Sequence, residues 1–313
     1  MTIAVLGVFA ADAVYRAERL PRMGETVLGR SFALGPGGKG SNQAVAAARA
    51  SGGRGGQGGV TFITRLGDDD FADLAEATWR DAGVTSAALR DGESYTGSAF
   101  IFVDEQTGNN AIIVAPGAAA RIDRSDIERH RALIEGADVF VTQLEQPIEA
   151  ARLALSIARG AGKRTILNPA PISPAAPVDD AMLALCDVVT PNETEAEALT
   201  GIAVASDREA RRAADALLAR GVGTAIVTLG PRGALVHGPD VSEIVPAFDC
   251  GPVVETTGAG DAFNGGFAVA LSEGRGTLEA ARFGCATASL SVTRPGAAAA
   301  MPMRDEIEAV LRR

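Results

Sequence analysis

The chain has 313 residues, of which 47 % are apolar and 4 % aromatic, an ordinary globular composition with enough length for one large α/β domain and its core. Lys and Arg number 29 against 39 Asp and Glu. The resulting formal charge of −10 argues against a general binder of nucleic acid or anionic membrane, yet allows a local positive pocket for a small anion.

In chain order, "MTIAVLGVFAAD" lacks a basic leader and reads as a first buried strand rather than a signal peptide. No apolar run reaches the ~18 residues of a membrane span. From Val14 to Leu34 the pattern is strand-like with no intervening helix, and the same holds from Ser98 to Val114. These two stretches suggest a small second sheet, a lid over the main one. Between them "GPGGKGSN", Gly35 to Asn42, spells G-x-G-x-x-G. The dinucleotide reading needs an acid ~20 residues on, and the first acid is Asp68. The P-loop reading needs Ser or Thr after the lysine, and Gly40 follows Lys39. What remains is a glycine turn feeding the helical "SNQAVAAARA", with Lys39 and Asn42 able to bind a polyhydroxyl ligand, or a tight turn with a solvated lysine. "SGGRGGQGG", Ser51 to Gly59, reads as a flexible surface loop.

Further on, "VTFITRLG", "DVFVTQL", "RTILNPA", "DVVTPN" and "TAIVTLG" are strand-like. They alternate with amphipathic segments such as "SDIERHRALIEGA", "EAARLALSIARGAG" and "REARRAADALLARGV". That alternation predicts a mostly parallel sheet with helices on both faces and a ligand site at the carboxyl ends of its strands. Two histidines and the odd, widely spaced Cys186, Cys250 and Cys285 argue against a histidine metal cluster and a disulfide framework, and suit a reducing cytoplasm. Any metal should be held by oxygen.

Near the C-terminus, "ETTGAGDAFNGGFAVAL" leads from Gly258, Ala259 and Gly260 straight into a helix, whose free N–H groups form an anion site. Asp261 either favours the helix dipole or, since a carboxylate beside an anion is otherwise repulsive, accepts a hydroxyl proton.

"GGKGSNQAVAAA", "TPNETEAEALTG", "TLGPRG" and "TTGAGDAFNGGF" together resemble, in order and over nearly the whole chain, the motifs of the ribokinase-like (phosphofructokinase-B type) carbohydrate kinases. The resemblance implies one three-layer α/β/α kinase domain over residues 1–313, with a small β-sheet lid from about 14–34 and 98–114 that is frequently used for dimerisation. It implies ATP-dependent phosphorylation of a primary hydroxyl of a small sugar, ribose or a related pentose, in the cytoplasm. A nucleoside or fructose kinase is the alternative, and a non-catalytic sugar-binding regulator the reading from another class. By the same resemblance Asp12, Gly38, Lys39, Asn42 and Glu145 bind the sugar, Asp261 is the catalytic base, and Gly258, Ala259 and Gly260 form the anion hole. Asn192 and Glu195 order Mg²⁺ and the nucleotide phosphates, while Thr228, Gly230 and Gly233 border ATP. A K⁺ site falls to Glu255 and the carbonyls around Thr257, Ser291, Arg294 and Gly296.

The chain departs from the family's pattern at several points. Val8 and Ala10 replace the serine and asparagine of G-S-x-N-x-D, and Ala119 stands where an asparagine is frequent. Glu255 replaces an aspartate, Ala300 a hydroxyl residue, and Cys285 a histidine near adenine. The loss at Ala10 bears on which sugar is used.

Overall fold

A computed structural model describes residues 1–53, 59–107 and 109–313. Among these, nine strands form one sheet: β1 (Ile3–Leu6), β4 (Val60–Leu66), β5 (Thr85–Arg90), β8 (Val139–Thr142), β9 (Arg164–Leu167), β10 (Val188–Val189), β11 (Thr224–Thr228), β12 (Ala234–Gly238) and β13 (Val241–Val245). Their spatial order is β13-β12-β11-β10-β9-β8-β1-β4-β5. Four others, β2 (Ala10–Ala17), β3 (Ser31–Gly37), β6 (Thr96–Asp104) and β7 (Asn110–Gly117), make a separate sheet in the order β3-β2-β6-β7.

Alternation along the strands explains the three layers. Ile3 and Val5 enter one core, whereas Ala4 and Leu6 enter the other; Ile166 and Leu167 divide in the same way. One core is roofed by the helices Lys39–Ser51, Asp70–Ala82, Ala259–Ser272 and Thr277–Ser291, the other by Ile148–Gly160 and Asp207–Ala219. A strand buried on both faces reads as an unbroken apolar run, as "IAVL" and "VFVT" do.

The main sheet is mostly parallel, as expected: β11 through to β5 run parallel, and β12 and β13 add an antiparallel edge. The turn at Gly230–Arg232 closes on Gly233, whose φ of +96° sends the chain straight back alongside β11. Two expectations need correction. "SDIERHRALIEGA" is two helices, Arg124–Arg129 and Arg131–Gly136, broken at His130, whose ring Nδ1 bonds to the Asp126 carbonyl at 2.8 Å. The strands of the small sheet run over 10–17, 31–37, 96–104 and 110–117, and residues 18–30 between β2 and β3 are not strand. Of the glycine-rich stretch from Ser51 to Gly59, residues 54–58 lie outside the described residues. Among the described residues no helix is long and apolar enough to cross a membrane.

Candidate active site

The site lies where the parallel strands end and two helices begin. The first helix starts at Lys39, capped by Gly38. A φ of +85° and an ideal Cβ that would fall 2.4 Å from the Val8 carbonyl leave only glycine at position 38. The turn aims Lys39 inward. Its backbone N–H donates to Glu145 Oε2 at 2.7 Å. Burial opposes the charge of its ammonium, but the charges of Asp261, Glu145 and Glu195 outweigh that cost and raise its pKa. Lys39 is partly buried rather than fully solvated.

The second helix, Ala259–Ser272, is capped by Gly258 at φ +77°. The resulting turn directs the Ala259 N–H onto the Thr256 carbonyl at 3.2 Å, so this N–H, expected to be free for an anion, is engaged within the turn. Among the described residues no acceptor is found for the N–H groups of Gly258, Gly260 and Asp261, which are the ordinary orphans of a helix start. Asp261 itself is 5 % exposed. Its carboxylate accepts from Asn42 Nδ2 at 3.1 Å and Gln43 Nε2 at 3.0 Å. Burial raises its pKa, while Lys39 and the two amide donors pull it down.

Across from Asp261, the Asp12 carboxylate rests over the Cα of Gly37. Burial and the charge of Asp261 push Asp12 up to about 6. Glu145 rises to about 7, chiefly by burial, although Lys39 opposes the shift. With its Nδ2 donating to Asp261, Asn42 is left with a buried Oδ1 that has no partner among the described residues. The pocket thus offers one bare acceptor, two acids held near neutrality and an ammonium, a set matched to several hydroxyl groups. Ala10 lies two residues before Asp12 on β2 and shares its face of the strand.

Asn192 and Glu195 form a capping box on the helix Glu193–Thr200: the Glu195 N–H donates to Asn192 Oδ1 at 2.8 Å, and the Asn192 N–H to Glu195 Oε2 at 2.9 Å. Burial raises the pKa of Glu195, while the Asn192 N–H and the charge of Lys39 oppose the shift and the charge of Asp261 adds to it. Asn192 is bridged to Thr228, next to the Gly230–Gly233 turn. Around the expected cation site, the N–H groups of Val254 and Glu255 donate to the Val292 carbonyl, and the Gly296 N–H donates to a Glu255 carboxylate oxygen at 2.8 Å. Residues 254–257 and 291–296 therefore meet, although the Ser291 hydroxyl donates to Ala288 within its own helix and Arg294 pairs with Glu306. Cys186 and Cys285 are buried, with thiols pushed up to about 12 by desolvation.

Sequence reasoning missed a set of amides beneath this pocket: Gln43, Gln143, Asn168 and Asn264, with Thr190, all at most 6 % exposed. Gln143, Asn168 and Thr190 each immediately follow the last residue of a parallel strand, which is the one signal that marked them.

The model of the pfkB family carbohydrate kinases matches residues 2–304. The chain belongs to this family. This kinase is 38 % identical over 306 residues to a ribokinase of Haemophilus influenzae, covering 97 % of the chain and 96 % of the relative. It is 34 % identical over 312 residues to a deoxyribokinase of Salmonella typhi, covering 99 % of each. The structure of an Arabidopsis thaliana ribokinase complexed with ribose and ATP superimposes on the kinase with a TM-score of 0.88 at 29 % identity, covering 100 % of this chain and 99 % of the other.

Proposed function

We propose that this sugar kinase transfers the γ-phosphoryl group of ATP to a primary hydroxyl of ribose or a closely related pentose, with Asp261 as general base. The observation that carries the reading is the place of Asp261. Among the described residues it is the carboxylate that joins the unpaired N–H groups of a helix start to the amides of the pocket. In this role Asp261 takes the hydroxyl proton as the oxygen attacks, while Lys39 and the N–H groups of Gly258 and Gly260 stabilise charge on the phosphoryl oxygens. Asp12, Asn42 and Glu145 orient the sugar. The four-stranded sheet acts as a lid that keeps water from the attack.

The donor set fits the ions that such a transfer uses. Among the described residues no three His, Cys, Asp or Glu side chains cluster as a metal cage. Mg²⁺ suits a site of this kind, since it keeps several waters and is held largely through phosphates. Asn192 and Glu195 would hold it by way of the nucleotide, and when bound it supplies neutralising charge. K⁺ would be held by the Glu255 carboxylate and the carbonyls around Thr257, Ser291, Arg294 and Gly296, with nothing from the Ala300 side chain. Free cysteines suit a cytoplasmic enzyme.

The lid also supports a homodimer. By strand register Tyr15, Phe32, Leu34, Phe100 and Ile113 share one face, and all five are exposed, Phe32 to 57 % and Ile113 to 68 %. Such a contiguous apolar face on a soluble protein marks an interaction surface.

Ala10 favours a second reading, a pentose lacking one hydroxyl such as 2-deoxyribose. ADP release from Mg-ATP across ribose, 2-deoxyribose, fructose and nucleosides tests both. Turnover is expected on a pentose. Activity confined to nucleosides or fructose overturns the substrate assignment, and none on any compound leaves the non-catalytic regulator.

A further inference from the structure

Beneath the pocket a closed course of hydrogen bonds begins and ends at the Gly260–Asp261 segment. Gln43 Nε2 has two hydrogens and two acceptors: Asp261 Oδ1 at 3.0 Å and Asn168 Oδ1 at 3.1 Å. Its Oε1 accepts from Gln143 Nε2 at 2.6 Å, so every polar atom of this amide is engaged and only one flip of the side chain satisfies all three partners. Asn168 Nδ2 donates onward to the Thr190 carbonyl at 3.1 Å, and the Thr190 hydroxyl donates to Asn264 Oδ1 at 2.7 Å. Asn264 Nδ2 donates to the Gly260 carbonyl at 2.8 Å, which is the peptide group leading into Asp261. The course ties together the helix carrying Lys39, the ends of β8, β9 and β10, and the helix start at Gly258.

We propose that Gln43 is a positioning residue for Asp261, and that the course through Asn168, Thr190 and Asn264 holds the carboxylate and the anion cradle in one fixed relation. This rests on the reading of Asp261 as the base. A carboxylate held by Asn42 alone could rotate about its Cα–Cβ and Cβ–Cγ bonds. The Gln43 donor fixes the plane in which Asp261 presents its oxygens to the sugar hydroxyl, and the Asn264 link fixes the backbone from which it springs. Misplacement of a reacting group by about 1 Å costs on the order of 10²-fold in rate, so a group that touches neither substrate can still govern turnover.

The test is steady-state kinetics of Gln43→Met on the best sugar, with pH profiles of kcat. The expected result is a fall in kcat of roughly 10- to 100-fold, with KM for sugar and for ATP within about 3-fold of wild type. The charged groups facing Asp261, namely Lys39, Asp12, Glu145 and Glu195, are untouched by the change. Removing an N–H donor from the ionised form must therefore move the acid limb of the profile to higher pH. Wild-type kcat, or a limb that stays in place, overturns the proposal. Should Gln43→Met not fold, Thr190→Val serves instead, for its hydroxyl makes no contact with Asp261. It is expected to lower kcat roughly 3- to 10-fold at constant KM, with Thr190→Ser restoring it. Wild-type turnover in Thr190→Val likewise overturns the proposal. Asp261→Asn measured in parallel separates the two failures. An active Asp261→Asn removes the base assignment, whereas an inactive one beside wild-type-like Gln43 and Thr190 variants removes only the positioning role.

Discussion

Asn42 donates through Nδ2 to Asp261 Oδ2 at 3.1 Å, across 219 positions of sequence. That contact joins the helix that starts at Gly38 to the helix that starts at Gly258. The amide turns its donor to the acid and leaves its acceptor bare, so on the proposed function a sugar hydroxyl that donates to Asn42 Oδ1 would lie beside Asp261.

Asp261→Asn should fold and bind ATP while lowering kcat by ~10²–10⁴-fold, the scale of a lost general base. Nucleotide binding by calorimetry and ADP release with the best sugar check it. A variant that keeps more than about a tenth of wild-type kcat would show that another group takes the proton.

Asp12→Asn should stabilise the ligand-free protein and weaken sugar binding together. The Asp12 carboxyl ionises at about 6 in the fold against an ordinary 3.8, so the native state holds more protons than the unfolded chain between those values. Its ionisation therefore costs stability progressively as pH rises from about 4 to about 6, and fully above that. Allowing for partial solvent access, the neutral amide should gain on the order of 1–2 kcal/mol at pH 8, shrinking toward nothing near pH 4. Denaturant midpoints at the two pH values measure the gain, and a variant less stable at pH 8 contradicts the assigned cause.

Ala10→Asn should improve ribose use by up to ~10-fold, equivalent to ~1.4 kcal/mol of recovered hydrogen bonding. The gain should lie mainly in KM, because the amide would meet hydroxyls remote from the reacting oxygen. The neighbouring Phe9 side chain packs edge-on against Trp79 at 5.8 Å, on the opposite face of the chain from Ala10 and Asp12. Unchanged or poorer kinetics on ribose, alongside efficient wild-type turnover, would mean that the pocket has compensated.

Ile113→Arg combined with Phe32→Lys should leave the fold intact and abolish self-association, since both side chains lie on the exposed apolar face of the small sheet. Sedimentation velocity is the measurement, with circular dichroism as control. A wild-type protein that sediments as a monomer at micromolar concentration removes the dimer.

The two halves of the site were unequally legible. "TTGAGDAF" places the glycine cap, the free N–H groups and the acid in consecutive residues, so the chemistry of a helix start could be read directly. Asp12 and Glu145 carry no local pattern and came only through family likeness. Gln43 carries no sequence signal beyond its helical run, because its partners stand 125 and 218 positions away and a buried amide leaves no periodic trace. In the fold, apolar runs found the parallel strands. They missed β12 and β13, whose return depends on the backbone conformation of Gly233. The break at His130 was equally hidden, for it turns on a ring nitrogen competing for a helix carbonyl.

Ala10 and Asp12 ride on a strand of the small sheet, whereas Gln143, Asn168 and Thr190 follow directly on strands of the large one, and Gln43 and Asp261 sit on the helices Lys39–Ser51 and Ala259–Ser272. On the proposed function, the sugar contacts of β2 thus stand on a different sheet from the amides that end β8, β9 and β10, while Asn42 belongs to both groups. On that reading a replacement at Ala10 can retune which hydroxyls are welcomed while the hydrogen bonds from Asn42 and Gln43 to Asp261 stay in place. A replacement at Gln43, Asn168 or Asn264 has no such freedom, since each of these amides is hydrogen-bonded to at least two neighbours.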